Sequence, residues 1–450
     1  MWRSDWPSDL TFARDATFFR PAPAVGRRHM VYSAPMMRAQ DLRRSAMLDV
    51  VVAGGGYVGL SVAVAIKQAA GHLNVQVVEA APEDVWKKDV RASAIIAAAT
   101  RMLDVFGVWN EIEPEAQPIH KMIVTDSKTA DPVRPVFLTF DGAVEEGRPF
   151  AHMVPNVAMV GALRGLCERL GVEIRHGLSV SGFSAGPQST AISLSDGSSL
   201  EARLLIACDG VRSALRDMAG IKTVHWNYDQ SGIVTTVEHE RPHEGCAEEH
   251  FLPSGPFAVL PLKGNRSSLV WTERTADADR LVAADDLVFE EELERRFGHK
   301  LGPVRPVGPR RAFPLGLTLA RSFVAPRFAL AGDAAHGIHP ISGQGLNLGF
   351  KDVAALAETV VEADRLGLDI GSLNVLDRYQ SWRRFDALRM GVTTDVLNRL
   401  FSNDVGPIRV MRDFGLGVVD RLPGLKSYFI GQAAGTTDAG APRLLAGEAL

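Results

Sequence analysis

Residues 48–79 constrain the fold more strongly than any other part of the chain. The apolar run LDVVVA precedes three glycines, YVGLSVAVAIKQAAG follows with a helical pattern, and NVQVVEA has the composition of a second buried strand. Gly54, Gly56 and Gly59 match GxGxxG, which permits a tight turn and close backbone approach to a pyrophosphate. Glu79 ends the second strand, where a carboxylate can bind a ribose. The segment predicts a dinucleotide-binding βαβ unit without distinguishing FAD from NAD.

Two further apolar runs end in an aspartate. LLIAC precedes Asp209–Gly210, and RFALA precedes Gly332–Asp333. An Asp-Gly pair more often marks a hairpin, but a helical pattern follows Asp209 where a hairpin would require a second strand. Ligands of α/β sheets bind at the carboxyl ends of the strands, so both aspartates are predicted to face a polyhydroxylated cofactor.

The composition excludes several classes of function. A chain of 450 residues with 46% hydrophobic and 23% charged residues is typical of a globular protein with room for two intertwined domains. The net charge of -4 provides no basic excess, so no nucleic-acid partner is expected. The widely separated Cys167, Cys208 and Cys246 favour neither a disulfide framework nor a zinc site, and they indicate a reducing, cytoplasmic compartment.

The N-terminal extension, residues 1–47, is predicted to be disordered, because it is rich in arginine and proline and lacks an apolar period. Its four aspartates oppose a mitochondrial transit peptide. The most apolar stretch, Val50–Ile66, is short for a bilayer and contains consecutive glycines, so no transmembrane span is expected there.

In their order and spacing, these motifs resemble the FAD-dependent aromatic hydroxylases. The set comprises GxGxxG, DGxxSxxR from Asp209 to Arg216, and Gly332–Asp333 followed by HPxxGQGLN. The last motif most closely resembles the ubiquinone-biosynthesis hydroxylases of the UbiH type, which act on prenylated phenols. The resemblance implies an α/β fold with a Rossmann-like FAD-binding domain, an interleaved antiparallel-sheet substrate domain and a helical C-terminus. It also implies hydroxylation of a prenylated phenol in ubiquinone biosynthesis, using NAD(P)H and O2.

The resemblance also assigns roles to individual residues. Arg91 in DVRASAI matches a flavin-contacting arginine, and Asp333 would hold ribityl hydroxyl groups. The glycine-rich loop would bring bare backbone to the flavin ring, with the helix that opens at about Leu346 pointing its positive end at the pyrimidine. The predicted cofactor-binding residues are Gly54, Gly56, Gly59, Glu79, Arg91, Asp209, Gly332, Asp333, Pro340, Gly343, Gly345, Leu346 and Asn347.

His336 and His339 form an H-x-x-H pair, a spacing that can bind metal. No other clustered ligand completes a site in the sequence, so no metal is predicted. Both histidines are expected to pack or hydrogen-bond beside the flavin. No catalytic residue is assigned, because hydroxylation of an electron-rich phenol requires little beyond positioning and desolvation.

Alternating strand patterns predict a separate antiparallel substrate sheet. Five aromatic residues on or near its strands are candidates to line the substrate pocket, with ordinary core packing as the alternative: Trp226, Tyr228, Phe251, Phe257 and Trp271. The predicted domains are FAD-binding segments 48–120, 151–222 and 310–375, substrate segments 121–150 and 223–309, and C-terminal helices 376–450.

Two questions remain open at this level. The segment GPIRVMRDFGLGVVDRLPGLKSYFIGQ, residues 406–432, suits a terminal helix on the core or an apolar face for a membrane or partner. The second reading would place the protein at the inner membrane, on the matrix side in a eukaryote, within a ubiquinone-biosynthesis assembly. The alternative functions are another flavin-dependent aromatic hydroxylase or reductase, and a non-catalytic flavoprotein scaffold.

Overall fold

A computed structural model describes residues 47–127, 134, 136–141, 149–402 and 441–450. The N-terminal extension up to residue 46 lies outside the described residues, and so does the segment 406–432. The prediction of disorder for the first and the two alternatives for the second therefore stay predictions.

The strands of the described chain lie between residues 48 and 337. In chain order they are β1 (Leu48–Ala53), β2 (Val75–Glu79), β3 (Ala92–Ile96), β4 (Gln117–Ile119), β5 (Lys121–Asp126), β6 (Val136–Asp141), β7 (Ala151–Pro155), β8 (Glu173–His176), β9 (Val180–Ala185), β10 (Thr190–Leu194), β11 (Ser199–Ala207), β12 (Thr223–His239), β13 (Cys246–Leu252), β14 (Gly255–Leu262), β15 (Arg266–Arg274), β16 (Val304–Pro306), β17 (Arg311–Ala320), β18 (Val324–Ala325), β19 (Phe328–Leu330) and β20 (His336–Gly337).

The helices are interspersed among these strands, with the two longest near the C-terminus. They are α1 (Tyr57–Ala69), α2 (Ala97–Val105), α3 (Trp109–Ile112), α4 (Asn156–Arg169), α5 (Ala214–Met218), α6 (Thr275–Ala283), α7 (Asp286–Phe297), α8 (Gln344–Arg365), α9 (Leu373–Phe401) and α10 (Arg443–Ala446). Short 3₁₀ turns lie at Val85–Lys88, Glu113–Glu115, Gly332–Ala334 and Ile341–Gly343.

The first sheet is parallel at its centre. Its strand order is β18-β19-β11-β1-β2-β8, and every neighbouring pair from β19 to β8 runs parallel. The β1 residues Val50, Val51 and Val52 are fully buried, as expected for a strand covered on both faces. Helices α1 and α8 pack closely, because a side chain at Gly349 would lie 2.8 Å from Val58.

The second sheet has nine strands and is mostly antiparallel. Its order is β20-β17-β12-β15-β14-β13-β5-β6, with β16 beside β12 and a single parallel pair between β13 and β5. Phe257 and Trp271 lie in a buried cluster with Phe289 of α7. The sheet also contains β17, which lies within the predicted FAD-binding segment 310–375 and pairs with β12 along ten register positions.

A third, small sheet of order β3-β7-β4 lies beside the two large ones. Helices α9 and α10 lie in the described C-terminal residues, with α9 beginning at Leu373. A parallel α/β sheet, an antiparallel sheet and C-terminal helices confirm the predicted fold class. Within the described part of the chain, no helix is both long and apolar enough to span a membrane.

Candidate functional site

Four neighbouring strands end at one edge of the parallel sheet. In spatial order they are β2, β1, β11 and β19, all parallel. The residues at or just after their carboxyl ends include Glu79, Gly54, Asp209 and Gly332–Asp333. Parallel strands place their carboxyl ends together, so three motifs that are far apart in the sequence form one continuous edge.

The glycine turn after β1 is shaped by protein packing at two positions and not at the third. A side chain at Gly54 would lie 2.3 Å from the carbonyl oxygen of Cys208, and one at Gly59 would lie 2.0 Å from that of Gly54. A side chain at Gly56 would meet no protein atom within 4 Å. Gly56 precedes α1 with an ordinary extended φ of -76°, so nothing in the protein itself requires glycine there.

Glu79 is already engaged with the backbone of this turn. Its carboxylate accepts hydrogen bonds from the N–H of Gly55 and, over 2.7 Å, from the N–H of Ala81. Each carboxylate oxygen has a second lone pair, so a ribose hydroxyl can still donate to Glu79.

The turn after β19 is held by a hydrogen bond to a residue of α8. Gly332 adopts a φ of +63°, and its N–H donates to Asp352 Oδ2 of α8 over 2.9 Å. Asp352 is fully buried and also contacts His336 Nε2 at 2.5 Å and Arg383 Nε at 2.8 Å. Burial alone would raise the pKa of Asp352, but the charges of His336 and Arg383 and their hydrogen bonds outweigh it and lower the pKa.

Arg216 connects the two aspartate motifs. Its Nη1 donates to the carbonyls of Val211, at 3.1 Å, and Ala334, at 3.0 Å. Ser213 caps α5 by accepting from the N–H of Arg216 at 3.0 Å. The DGxxSxxR pattern therefore builds a capped turn and a clamp onto the loop of Asp333.

The loop that precedes α8 is fastened to β3 by Asn347. Its Oδ1 accepts from the N–H of Ile96 at 3.1 Å, and its Nδ2 donates to the carbonyls of Ala94, at 2.9 Å, and Gly343, at 3.0 Å. Gly343 has a φ of +63°, which favours glycine. The helix begins at Gln344, two residues before the predicted start at Leu346.

A cavity of about 1000 Å³ lies between this loop and the antiparallel sheet. Five of the predicted cofactor residues line it, namely Asp333, Pro340, Gly343, Gly345 and Leu346. Of the others, Gly54, Glu79, Asp209 and Gly332 lie at the sheet edge, Gly56 and Gly59 lie at the start of α1, Arg91 precedes β3, and Asn347 is buried in α8. The opposite wall is formed mainly by apolar side chains of the antiparallel sheet.

Asp333 is open to this cavity and enclosed by protein on its other sides. Burial raises the pKa of Asp333, and Asp352 adds to the rise, while His336 and Arg91 oppose it. Tyr57, the first residue of α1, also lines the cavity, and burial with the nearby Asp333 raises its pKa to about 12. The phenol of Tyr57 is therefore neutral at physiological pH.

Arg91 lies beside the site and does not line the cavity. Its guanidinium makes a bidentate pair with Asp89, at 2.8 and 2.7 Å, and lies 5.7 Å from the ring centre of Phe313. The hydrogen bond with Asp89 raises the pKa of Arg91 above its usual value. Its electrostatic influence reaches both Tyr57 and Asp333.

None of the five candidate aromatic side chains is among the residues that line the cavity, as the alternative of ordinary packing predicts. Phe257 and Trp271 point into the core beneath the sheet, whereas their strand neighbours Ala258 and Val270 line the cavity. Side chains alternate between the two faces of a strand, so the aromatic positions fall on the far face. The other three pack elsewhere: Trp226 donates to Asp395 at 2.9 Å, Tyr228 contacts His339, and Phe251 stacks on Phe401.

Neither motif histidine lines the cavity. His336 is fully buried against Asp352, and His339 is 1% exposed with its ring edge-on to Tyr228. Burial lowers the pKa of His339 to about 4. Among the described residues, no group of three potential metal ligands comes together.

Sequence reasoning missed several residues that shape the site. Tyr57 lies inside the glycine fingerprint, and its position at the start of the helix could have indicated contact with the cofactor. Arg216 ends the DGxxSxxR motif, but the sequence suggested no role for this residue. Glu249 and His225 line the cavity on the side of the antiparallel sheet. The sequence CAEEHFL does not indicate which of its two adjacent glutamates faces the cavity.

Comparison with known proteins agrees with this geometry. A protein-family profile described as "FAD binding domain" matches residues 47–389. The chain is 44% identical to ubiquinone hydroxylase UbiL of Rhodospirillum rubrum, covering 89% of this chain and 93% of that protein. It is 34% identical to 3-demethoxyubiquinol 3-hydroxylase of Escherichia coli (86% and 98%) and 31% identical to human mitochondrial ubiquinone biosynthesis monooxygenase COQ6 (90% and 96%).

Solved structures show the same fold at lower identity. The p-nitrophenol 4-monooxygenase PnpA of Pseudomonas putida superposes with a TM-score of 0.73 at 22% identity, covering 87% of this chain and 99% of that one. PqsL of Pseudomonas aeruginosa gives a TM-score of 0.71 at 20% identity, with coverages of 82% and 99%. The resemblance drawn from the three motifs is thereby confirmed, and so is the expected FAD cofactor. The chain belongs to the FAD-dependent hydroxylases of the ubiquinone-biosynthesis, UbiH-like family.

Proposed function

We propose that this protein is an FAD-dependent monooxygenase that hydroxylates a prenylated phenol in ubiquinone biosynthesis, with NAD(P)H and O2 as co-substrates. The observation that carries the proposal is the cavity of about 1000 Å³ between the FAD motifs and the antiparallel sheet. Its wall from the second sheet is largely apolar, as a ring with a prenyl tail requires.

The residues at the sheet edge fit the cofactor. Gly56 has open space where a side chain would lie, and the N-terminus of α1 follows it, which suits a pyrophosphate. Glu79 would hold the adenosine ribose, Asp209 would lie along the flavin-binding strand end, and Asp333 would bind ribityl hydroxyl groups. Arg91 would approach the flavin from the side of Tyr57.

The helix α8 would stabilise charge on the ring. When bound, the flavin supplies hydride acceptance from NAD(P)H and activation of O2. The first N–H groups of a helix have no partner within it, and the first turn of α8 includes Gly345 and Leu346, which line the cavity. Gly345 has no protein atom within 4 Å of its missing side chain, so a ring can approach the backbone there.

The chain itself would orient the substrate and exclude water. Alanines and branched apolar side chains of the sheet wall would enclose the ring, while Pro340 and Gly343 limit the cavity on the loop side. A low-polarity enclosure protects reactive oxygen chemistry from water, so shape and desolvation would do most of the work.

Two finer proposals concern the surroundings of the enzyme. We infer a cytoplasmic protein that contacts the inner membrane peripherally, on the matrix side in a eukaryote, because prenylated phenols partition into lipid. Membership of a ubiquinone-biosynthesis assembly would serve the same purpose. Flotation with vesicles and pull-down of partner enzymes test these two proposals separately.

The function is tested by NAD(P)H oxidation with purified FAD-loaded protein. We expect a prenylphenol to accelerate the oxidation and to yield a product heavier by one oxygen atom, as measured by mass spectrometry. Oxidation without product oxygenation favours the reductase alternative. Absence of turnover with bound FAD favours the non-catalytic scaffold.

A further inference from the structure

Two polar side chains at the parallel-sheet edge face the cavity without a hydrogen bond. Tyr57 and Asp333 both line the cavity, and among the residues that the structure describes neither the phenol nor the carboxylate has a hydrogen-bond partner. Tyr57 is half-buried and Asp333 is exposed, so both present surface to the open space. A largely enclosed tyrosine hydroxyl usually finds a partner, so this arrangement indicates that a polar group of a ligand fills the space.

The turns that carry these two residues are packed against each other. Tyr57 is the first residue of α1, and Asp333 lies in the 3₁₀ turn after β19. A side chain at Gly332 would lie 3.2 Å from Val58, so the residues next to Tyr57 and Asp333 are in direct contact. Asp333 also contributes to the raised pKa of Tyr57. The phenol and the carboxylate are therefore neighbours in the same cavity that no hydrogen bond joins.

The chemistry of the two groups restricts what can lie between them. The phenol of Tyr57 is neutral at physiological pH, because its pKa is about 12, so it has a proton to donate. The carboxylate of Asp333 accepts hydrogen bonds. A hydroxyl group satisfies both, since it donates one hydrogen bond and has two lone pairs. A phosphate oxygen or a ring carbonyl can accept from Tyr57 but has no proton to donate to Asp333.

We propose that Tyr57 donates a hydrogen bond to a ribityl hydroxyl group of FAD, and that the same hydroxyl group donates to Asp333. This inference rests on the FAD-dependent function proposed above. The charge nearest to Tyr57 on its other side, Arg91, is already held by Asp89 at 2.8 and 2.7 Å. A phenylalanine would pack equally well at the start of α1, so a role in packing alone would not require the hydroxyl.

The test compares flavins with and without the ribityl chain. Full-length apoprotein is titrated with FAD, riboflavin and lumiflavin, and the change in flavin fluorescence reports binding. Lumiflavin carries a methyl group in place of the ribityl chain, so it cannot form the proposed bond. In Tyr57→Phe we expect the affinities for FAD and riboflavin to fall about three- to tenfold, the scale of one hydrogen bond between neutral groups, and the affinity for lumiflavin to stay within about twofold.

Tyr228→Phe is the matched control. Tyr228 packs against His339 and is not among the residues that line the cavity, so the same chemical change there should leave the affinities for all three flavins as in wild type. Melting temperatures provide a second readout. Tyr57→Phe should leave the melting temperature of the apoprotein unchanged, since no described residue bonds to the hydroxyl, and it should reduce the rise on addition of FAD.

The inference is overturned if Tyr57→Phe binds FAD and riboflavin as tightly as wild type. A loss for FAD alone would place the bond at the pyrophosphate or adenosine, and an equal loss for lumiflavin would place it at the ring; both contradict a ribityl contact. If lumiflavin binds too weakly to measure, an FAD-induced rise in melting temperature equal to that of wild type decides against the inference.

The same titrations separate this inference from the proposed function. Wild-type apoprotein that binds no flavin contradicts both. Wild-type protein that binds FAD but does not oxygenate a prenylphenol contradicts only the proposed function, because the titrations require no turnover.

Discussion

The Nη1 atom of Arg216 donates a hydrogen bond to the carbonyl oxygen of Ala334 over 3.0 Å. Arg216 lies in α5, which follows β11, whereas Ala334 follows β19, so one side chain joins two strand-end motifs that are separated by more than a hundred residues. Arg216 is 6% exposed, and a hydrogen bond from a buried cation to a carbonyl is among the stronger kinds.

Arg216→Met should therefore weaken FAD binding while leaving the fold intact. The methionine fills much of the same volume but leaves two carbonyls without their donor, so we expect FAD affinity to fall about ten- to hundredfold. Quenching of flavin fluorescence on titration into apoprotein measures this. Arg212→Met is the control, because Arg212 is exposed and lines the same cavity. An equal loss in both variants would show that positive charge, and not the link to Ala334, matters.

Gly56→Val should abolish flavin binding without disturbing the protein. The backbone at Gly56 suits any residue, and the added side chain meets no protein atom within 4 Å, so the valine would enter only the predicted space of the pyrophosphate. We expect colourless protein whose melting temperature matches that of wild-type apoprotein. Full flavin content would refute the assignment of this turn.

Gly59→Ala, unlike Gly56→Val, should destabilise the protein itself. Its added carbon would lie 2.0 Å from the carbonyl oxygen of Gly54, so the turn and α1 must shift. We expect a loss of about 1–3 kcal/mol in the free energy of unfolding even without cofactor. Urea denaturation of the two apoproteins separates a ligand effect at Gly56 from a packing effect at Gly59.

Gly345→Leu tests the contact between the α8 backbone and the flavin. A leucine there meets no protein atom near its Cβ, and replacing a helical glycine should stabilise the apoprotein by up to about 1 kcal/mol. We expect weaker but detectable FAD binding, a lower flavin redox potential and hydroxylation slowed about hundredfold. Wild-type values for both the hydroxylation rate and the flavin redox potential would show that the glycines only shape the loop and do not act on the flavin. Gly345→Ala should show the same changes to a smaller degree.

Protonation of His339 should destabilise the fold in weak acid. Burial lowers its pKa to about 4, and neither ring nitrogen has a hydrogen-bond partner within the described part of the chain. A histidine with a depressed folded-state pKa contributes stability above its unfolded pKa of about 6.5 and loses it as the pH falls towards 4, by up to about 3 kcal/mol. His339→Leu should reduce this loss, as measured by urea denaturation at several pH values. The exposed control His299→Gln should leave the dependence of the unfolding free energy on pH as in wild type. The prediction is contradicted if His339→Leu also leaves it unchanged.

Residues 1–46 should be dispensable for folding and for flavin binding. The strand β1 begins at Leu48 and pairs only with β2 and β11 among the described strands. Protein shortened to begin at Met47 is expected to be yellow, with flavin released on denaturation. Insoluble or colourless product would show that the extension contributes to the fold.

Much of the candidate cofactor site could be predicted from short sequence patterns. Gly54, Asp209 and Asp333 were identified because each follows an apolar run, and the carboxyl ends of parallel strands meet at one edge. Asn347 was predicted among the cofactor-binding residues, and in the structure its side-chain amide donates hydrogen bonds to the carbonyls of Ala94 and Gly343. These features depend on a few neighbouring residues and on the regular geometry of βαβ units, so local sequence is sufficient.

The sequence by itself determined the class of fold, the cofactor motifs and their order along the chain, because turns, buried strands and helix starts are encoded locally. Only the tertiary structure decided which face of the antiparallel sheet meets the cavity. Alternation leaves that choice open in β13, where Glu248 and Glu249 are adjacent, and in β14 and β15, where Phe257 and Trp271 face the core. The choice follows from long-range pairing of β13 with β5 and β14, and the pairing of β17 with β12 is equally invisible in local patterns.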